Sequence, residues 1–444
     1  MGYSSKRGRR HAEYASKAAH SHIIKDAVVQ EFLTGCNLPK SGSEVSLSDH
    51  QILPYKPITH NPIRHIIAVD GGYTEVAVRT EFPSATICFF QFGALIFSVQ
   101  DLEDLDEQPF IDPDDMTKLK KIQRLKLALP IRSITVKGQS SLTSSVRKTI
   151  YDFFCQKMDD GQLITTLKWF IFQEYDKYLQ EYILASCPMC QASNISLSLQ
   201  DMSMSYTFLC SRCRQEIYLT DVFRLHEAID DELGAGGIAG YVTTLLEQIV
   251  IVHLIRLILK TKPNLLEQFL FIKDGPLAFF GQTANMHKPM RALVAYLFKN
   301  HNLFLAGLEK SGSFVEHADE VSEKLENGSI LILDNDYIYS YVIPGKADLT
   351  NPYGRTTYYG NKIIFKTMNG SVYVVSLPTV DILASPSAED FKNLAVTLTN
   401  VEKLKCDMYD NALMPVALAN KLVSLANHPS SRILQKFAID AVHH

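Results

Sequence analysis

Two stretches of this sequence run an apolar segment straight into an aspartate and a glycine: "IIAVDGG" at residues 66–72 and "FLFIKDGPL" at 269–277. Taken singly, Asp-Gly is among the commonest hairpin turns. Taken together, two carboxylates at adjacent strand ends repel each other unless one is protonated or a cation bridges them. Mg2+ or Mn2+ prefers such oxygen ligands and keeps positions for water or phosphate oxygens. An ion so held can neutralise a phosphodiester during in-line displacement. Asp70 and Asp274 are therefore candidate metal ligands, and the glycine after each leaves room for a backbone to approach. Glu247 lies inside the apolar run "YVTTLLEQIVIVHLIRLIL" at 241–259. On a helix, Val250, Ile251, Leu254 and Ile258 surround it, whereas His253, Arg256 and Lys260 fall on roughly the opposite side. A buried carboxylate without a partner is costly. Metal ligation relieves that cost, and so does a salt bridge or exposure near the helix end.

Four of the eight cysteines form a second pattern, "CPMC" at 187–190 and "CSRC" at 210–213. Two Cys-x2-Cys pairs at this separation read as a tetrahedral zinc ribbon of Cys187, Cys190, Cys210 and Cys213. A disulfide framework belongs to secreted chains, and a redox pair leaves the matching second pair unexplained. With four closed ligands, such a zinc is structural rather than catalytic.

The remaining numbers exclude several classes. With 46% apolar and 21% charged residues, the chain can bury a large core. The N-terminus "MGYSSKRGRRHAEYASKAAH" is polar and basic, so no secretion signal is expected; a loose myristoylation match there is short and unspecific. The 241–259 run carries Glu247, His253 and Arg256, too many for a lipid-facing span, which predicts a core helix in a cytoplasmic protein with no membrane partner. No Gly-x4-Gly-Lys phosphate loop and no Gly-x-Ser-x-Gly elbow is present. The glycines of "ELGAGGIAG" at 232–240 read as a turn before the long helix.

Periodicity places these residues. Residues 1–36 read as helical after Lys6, Arg7, Arg9 and Arg10, either a tail or an arm for a partner or DNA, and 37–62 as a loop or linker. Strands are predicted at 64–69, 74–80 and 85–98, with "VDGGYT" as the turn between the first two. The acidic run 101–115 lacks the glycine and terminal glutamate of a calcium loop. Helices are predicted over 141–184, 241–260, 287–299 and 411–439, strands at 268–273 and 303–308, and a strand-rich segment at 329–376, in which Asp334 and Asp336 read as strand-end residues. Three antiparallel strands, helices, strand, helix, strand is the order of an α/β ribonuclease-H-like mixed sheet flanked by helices, here with an inserted zinc ribbon. In that fold the first and fourth strands lie side by side and parallel, which would bring Asp70 and Asp274 together.

"AVDGG", "EQIVIVHLI", "IKDGPL" and "GLEKS" occur in the order seen in the NurA nuclease family, and over about 60–440 the chain resembles that family, with the ribbon (185–220) as an insertion. The resemblance implies a ribonuclease-H-like domain over 61–440 that cuts DNA with manganese or magnesium, forms homodimers and works with HerA, a hexameric DNA-translocating ATPase. Residues 1–60 then form an N-terminal helix and linker. On the matched positions, Asp70 is the first metal ligand, Asp274 the second, Glu247 the helix-borne acid, and Lys310 a phosphate contact. The C-terminal motif departs from the family. Where Tyr-Pro and then Ala-His or Ala-Asp are usual, "LMPVALANKL" places Met414 before Pro415 and Asn420 after Ala419. Asn420 can offer a metal a neutral oxygen but cannot titrate. His428 reads as a surface histidine. The first functional reading is a metal-dependent DNA nuclease acting in DNA end processing or phage defence. The alternatives are a catalytically inactive NurA-like subunit that scaffolds a motor complex, and a zinc-ribbon nucleic-acid-binding protein without nuclease ancestry.

Overall fold

The structure is a computed structural model that describes residues 22–47, 52–79, 81, 84–100, 123–158, 160–406, 412–425 and 430–443. Lys6, Arg7, Arg9, Arg10, the acidic run 101–115 and His428 lie outside the described residues. The elements, in chain order, are α1 (Ala27–Thr34), β1 (Ile52–Pro54), β2 (His65–Arg79), β3 (Ala85–Ser98), β4 (Gln123–Arg132), α2 (Leu142–Cys155) and α3 (Leu163–Ile171). The short strands β5 (Glu181–Ser186), β6 (Ser193–Ser198), β7 (Thr207–Leu209) and β8 (Glu216–Tyr218) come next. Then follow α4 (Ala239–Thr261), β9 (Phe269–Asp274), α5 (His287–Asn300), β10 (Phe304–Glu309), α6 (Ser313–Val321), β11 (Ser329–Ile332), β12 (Gly360–Lys366) and β13 (Val372–Pro378). The C-terminal helices are α7 (Leu394–Lys403), α8 (Met414–Val423) and α9 (Ser430–His443).

Nine strands form one sheet in the order β1-β11-β12-β13-β10-β9-β2-β3-β4. β2, β3 and β4 pair antiparallel, β9 lies parallel to β2, and β10 parallel to β9. The first long strand is thus central, with the fourth beside it, as a ribonuclease-H-like sheet requires. Ile66 to Asp70 are all buried because helices cover both faces. Ile67 and Val69 join a core with α2 to α5, while Ile66 and Ala68 join one with α7 and α8.

Four local readings change. The turn expected at "VDGGYT" is absent: β2 runs unbroken from His65 to Arg79, with Asp70, Gly71 and Gly72 paired to Gly93, Phe92 and Gln91. Close packing explains the glycines. A Cβ at Gly71 would lie 2.6 Å from the Phe92 ring, and one at Gly72 would lie 2.8 Å from the Val423 carbonyl oxygen of α8. The third antiparallel strand is β4, 123–132, which Pro130 and alternating basic residues conceal. Residues 181–184, read as helix, belong to β5, Glu181–Ser186, which leads into the ribbon. Within the expected 37–62 linker, β1 pairs with β11, and the Gly42 amide donates to Glu320 Oε2 at 2.7 Å.

Gly72 yields a direct prediction. The clashing atom is backbone, so Gly72→Ala must push α8 away from β2, at about 1–3 kcal/mol. In urea unfolding Gly237→Ala serves as control, because its Cβ meets nothing within 4 Å. Equal midpoints for the two variants would contradict the packing described.

One helical stretch, Gly236–Thr261, is long and apolar enough to cross a membrane by length and composition, and 67% of its most apolar window is buried inside the protein. Its polar side is buried too. His253 Nδ1 lies 2.7 Å from Thr166 Oγ1, and Arg256 donates to the same hydroxyl at 3.3 Å. Pro263 ends the helix by forcing Lys262 out of the α region, to φ −147° and ψ 83°.

Candidate active site

The parallel pairing of β2 with β9 ends at Val69 and Lys273, one residue before the two aspartates. Asp274 is the last residue of β9 and pairs with Leu308 of β10. Gly275 then turns the chain away at φ +82°. The candidate site lies where the ladder stops. From β2 it receives Asp70, from β9 Asp274, and from the segment just after β10 Lys310, whose Nζ is 2.7 Å from Asp274 Oδ2. α4 crosses nearby and delivers Glu247. The Gly71 amide donates to Asp70 Oδ1 at 2.8 Å and to Glu247 Oε1 at 3.1 Å, so one N–H links the two carboxylates.

Asp70 is buried, and its Oδ2 has no hydrogen-bond partner. Burial, followed by the nearby charges of Asp274 and Glu247, pushes its carboxyl up to about 7. Glu247 is raised as well, chiefly by burial, with Lys273 opposing the shift. A buried acceptor without a donor, facing two further carboxylates, suits a divalent cation. The donor set is all oxygen, which favours Mg2+ or Mn2+ over softer ions. The three carboxylates are not drawn into a closed cage. Among the described residues, only the four cysteines form a group of three or more such ligands with all atoms within 4.8 Å of one another.

The raised Asp70 carboxyl has a pH signature. Folding favours its protonated form, so its stabilising contribution is full below about pH 4 and is lost as pH rises through about 7. In metal-free protein, Asp70→Asn should therefore gain on the wild type between these limits, by up to about 4 kcal/mol. Thermal unfolding at several pH values checks this, and a constant difference between the two proteins would refute it.

Sequence reasoning missed three residues here. Lys273 is 2% exposed, and its Nζ is 3.1 Å from Glu247 Oε2. Its signal was a lysine within an otherwise apolar strand end, "FLFIKD". Tyr359 is fully buried with no partner for its hydroxyl, and burial together with Glu247 raises its pKa. Gln248, beside Glu247, donates to the Ala278 carbonyl at 2.8 Å and so ties α4 to the segment after β9. Asn420 is exposed on α8, one turn before the Val423 carbonyl that borders Gly72. Asp334 caps the short helix after β11 by accepting from the Tyr337 amide at 2.7 Å.

The ribbon is built from two matching turns. Cys187 and Cys210 each accept at Sγ from the amide two residues on, both at 3.4 Å. Each cysteine carbonyl accepts from the residue four on, Gln191 or Arg214, and both of these are left-handed, at φ 58° and 60°. The Sγ atoms of Cys187 and Cys213 are 3.8 Å apart, and those of Cys190 and Cys210 are 3.9 Å apart. A tetrahedron with arms of about 2.3 Å has edges of about that length, so the four sulfurs can hold zinc. Arg147 of α2 docks the ribbon through a buried two-pronged bond to Asp221, with its nearest N–O distance 2.7 Å.

No described protein family and no curated protein matches the sequence. Among solved structures, the NurA nuclease from Sulfolobus solfataricus is 9% identical, with 97% of this chain and 98% of that chain covered and a TM-score of 0.33. A NurA with manganese is 11% identical, with coverages of 97% and 99% and a TM-score of 0.30. Scores of this size carry no side-chain correspondence, and the chemistry rests on the geometry above.

Proposed function

We propose that this chain is a divalent-metal-dependent deoxyribonuclease of the NurA type. The observation that carries the reading is the meeting of Asp70 and Asp274 at the end of the parallel β2–β9 pair, with Asp70 Oδ2 buried and unpartnered. On this reading Asp70 and Asp274 hold Mn2+ or Mg2+, Glu247 is the third carboxylate of the pocket, and Asn420 is a neutral oxygen at its border. The metal, when bound, supplies Lewis-acid polarisation of a phosphoryl oxygen. Lys310, bound to Asp274 and with 27% of its side chain exposed, is free to turn toward a DNA phosphate. Gly71 holds Asp70 Oδ1 in place, which leaves Oδ2 directed at the ligand. The domain spans 61–440 and takes in β1 at the edge of its sheet, and the cysteine ribbon carries a structural zinc. The chain works as a homodimer with a HerA-like hexameric DNA-translocating ATPase, in DNA end processing or phage defence. Incubation of the purified full chain with linear duplex DNA, with Mn2+ or with chelator, tests this. Metal-dependent loss of the duplex is expected, and DNA left intact by a folded, metal-loaded chain would overturn it.

A second reading, a catalytically silent scaffold for the motor, is favoured by one observation. Glu247 and Asp274 already carry the chain's own Lys273 and Lys310.

A further inference from the structure

Two-metal phosphoryl-transfer sites hold their ions about 3.5–4 Å apart. In this pocket a side chain already supplies one cation. Lys273 is fixed at the end of β9 and is 2% exposed. Its Nζ is 3.1 Å from Glu247 Oε2, and it also donates to the main-chain carbonyl of Asp274. The other oxygen of Glu247 accepts from the Gly71 amide at 3.1 Å. Both oxygens of Glu247 are therefore engaged by donors of the chain itself. Lys310 differs, because a quarter of its side chain is exposed and it can swing from Asp274 into solvent. Lys273 has no such exit. An ammonium held in a poorly solvated pocket repels a second dication there. Among Asp70, Glu247 and Asp274, the buried carboxylate oxygen left without a donor is Asp70 Oδ2.

We propose that Lys273 is a built-in cation that reserves Glu247, so that the pocket takes one divalent ion, held by Asp70 and Asp274, rather than two. This rests on the metal-dependent reading above and deepens it. The ammonium of Lys273 stands where a second ion would, and it keeps Glu247 out of coordination while adding positive charge beside the phosphate.

The test is a Mn2+ titration of the zinc-loaded full chain, followed by electron paramagnetic resonance, which counts manganese and registers coupling between paired ions. One uncoupled Mn2+ per wild-type chain is expected, and none in Asp70→Asn. Lys273→Met frees Glu247 and should bind two ions with a spin-coupled signal. Because a lone buried Glu247 can impair folding, Lys273→Met is paired with Glu247→Gln; this neutral double variant should fold and return to one ion. Two coupled ions in the wild type, or a folded Lys273→Met that still binds one, overturns the proposal while leaving the metal site standing. No Mn2+ in a folded wild type removes the metal-dependent reading itself, and the proposal with it.

Discussion

On the proposed function, Asp70→Asn and Asp274→Asn should each lower metal-dependent DNA cleavage by about a thousandfold or more, equivalent to about 4 kcal/mol of transition-state stabilisation. The size of the effect follows from what each residue loses. Asp70 Oδ2 is buried with no donor, so an amide at that position puts a neutral oxygen or an N–H where a cation is to sit. Asp274 loses both its charge and its 2.7 Å partnership with Lys310. The two variants should differ in stability. Asp70→Asn removes a carboxylate that burial disfavours, whereas Asp274→Asn leaves Lys310 without its partner. Lys310→Ala should cost less, about 10- to 100-fold, and fall mainly on DNA affinity. Single-turnover cleavage of an end-labelled duplex separates these effects. Retained cleavage in both aspartate variants would place the chemistry elsewhere.

The second large effect concerns zinc. One zinc per chain is expected, and Cys187→Ser or prolonged chelation should abolish it. Structural zinc contributes about 10–16 kcal/mol of apparent binding energy in small peptides. Here the loss should reach beyond the ribbon. Leu184, Ile195, Leu197, Phe208 and Ile217 of the ribbon strands belong to the same core as α2 to α5 and β2 to β4. The zinc-free chain should therefore unfold more than about 10 °C lower, with its thiols open to an aromatic disulfide reagent. The Arg147–Asp221 pair does not involve the cysteines and should keep part of the ribbon docked after chelation. A metal count of zero in protein purified without chelator, or an unchanged unfolding temperature, contradicts the assignment.

Particular residues show how far the sequence could be read. β9, α5 and β10 lie within one or two residues of their expected bounds, because each is an apolar run with clear breaks. The ribbon was legible from cysteine spacing alone, since ligand geometry is local. β2 was split at Asp70 because Asp-Gly-Gly is turn chemistry when read locally. What keeps the strand straight is the Phe92 ring against Gly71 and the α8 carbonyl against Gly72, which arrive from 21 and from 351 residues away. The charge on Glu247 posed a question that the sequence left open between metal and salt bridge. Lys273 answers part of it, and that contact depends on how α4 crosses β9. Lys362 shows the same limit. It lies buried in β12 just before the apolar run Ile363–Phe365, bonded to Glu309 and stacked 3.8 Å over the Phe314 ring.

The unbroken course of β2 also bears on how the pocket meets a ligand. Asp70 is carried by a ladder of interstrand amide bonds, and its side chain is pinned by the next residue's N–H. Its torsional freedom is lost when the polypeptide folds, before anything binds. An ion entering the proposed site would therefore meet a carboxylate already at rest, and the barrier to its capture would lie in stripping water from the ion rather than in freezing a wandering side chain.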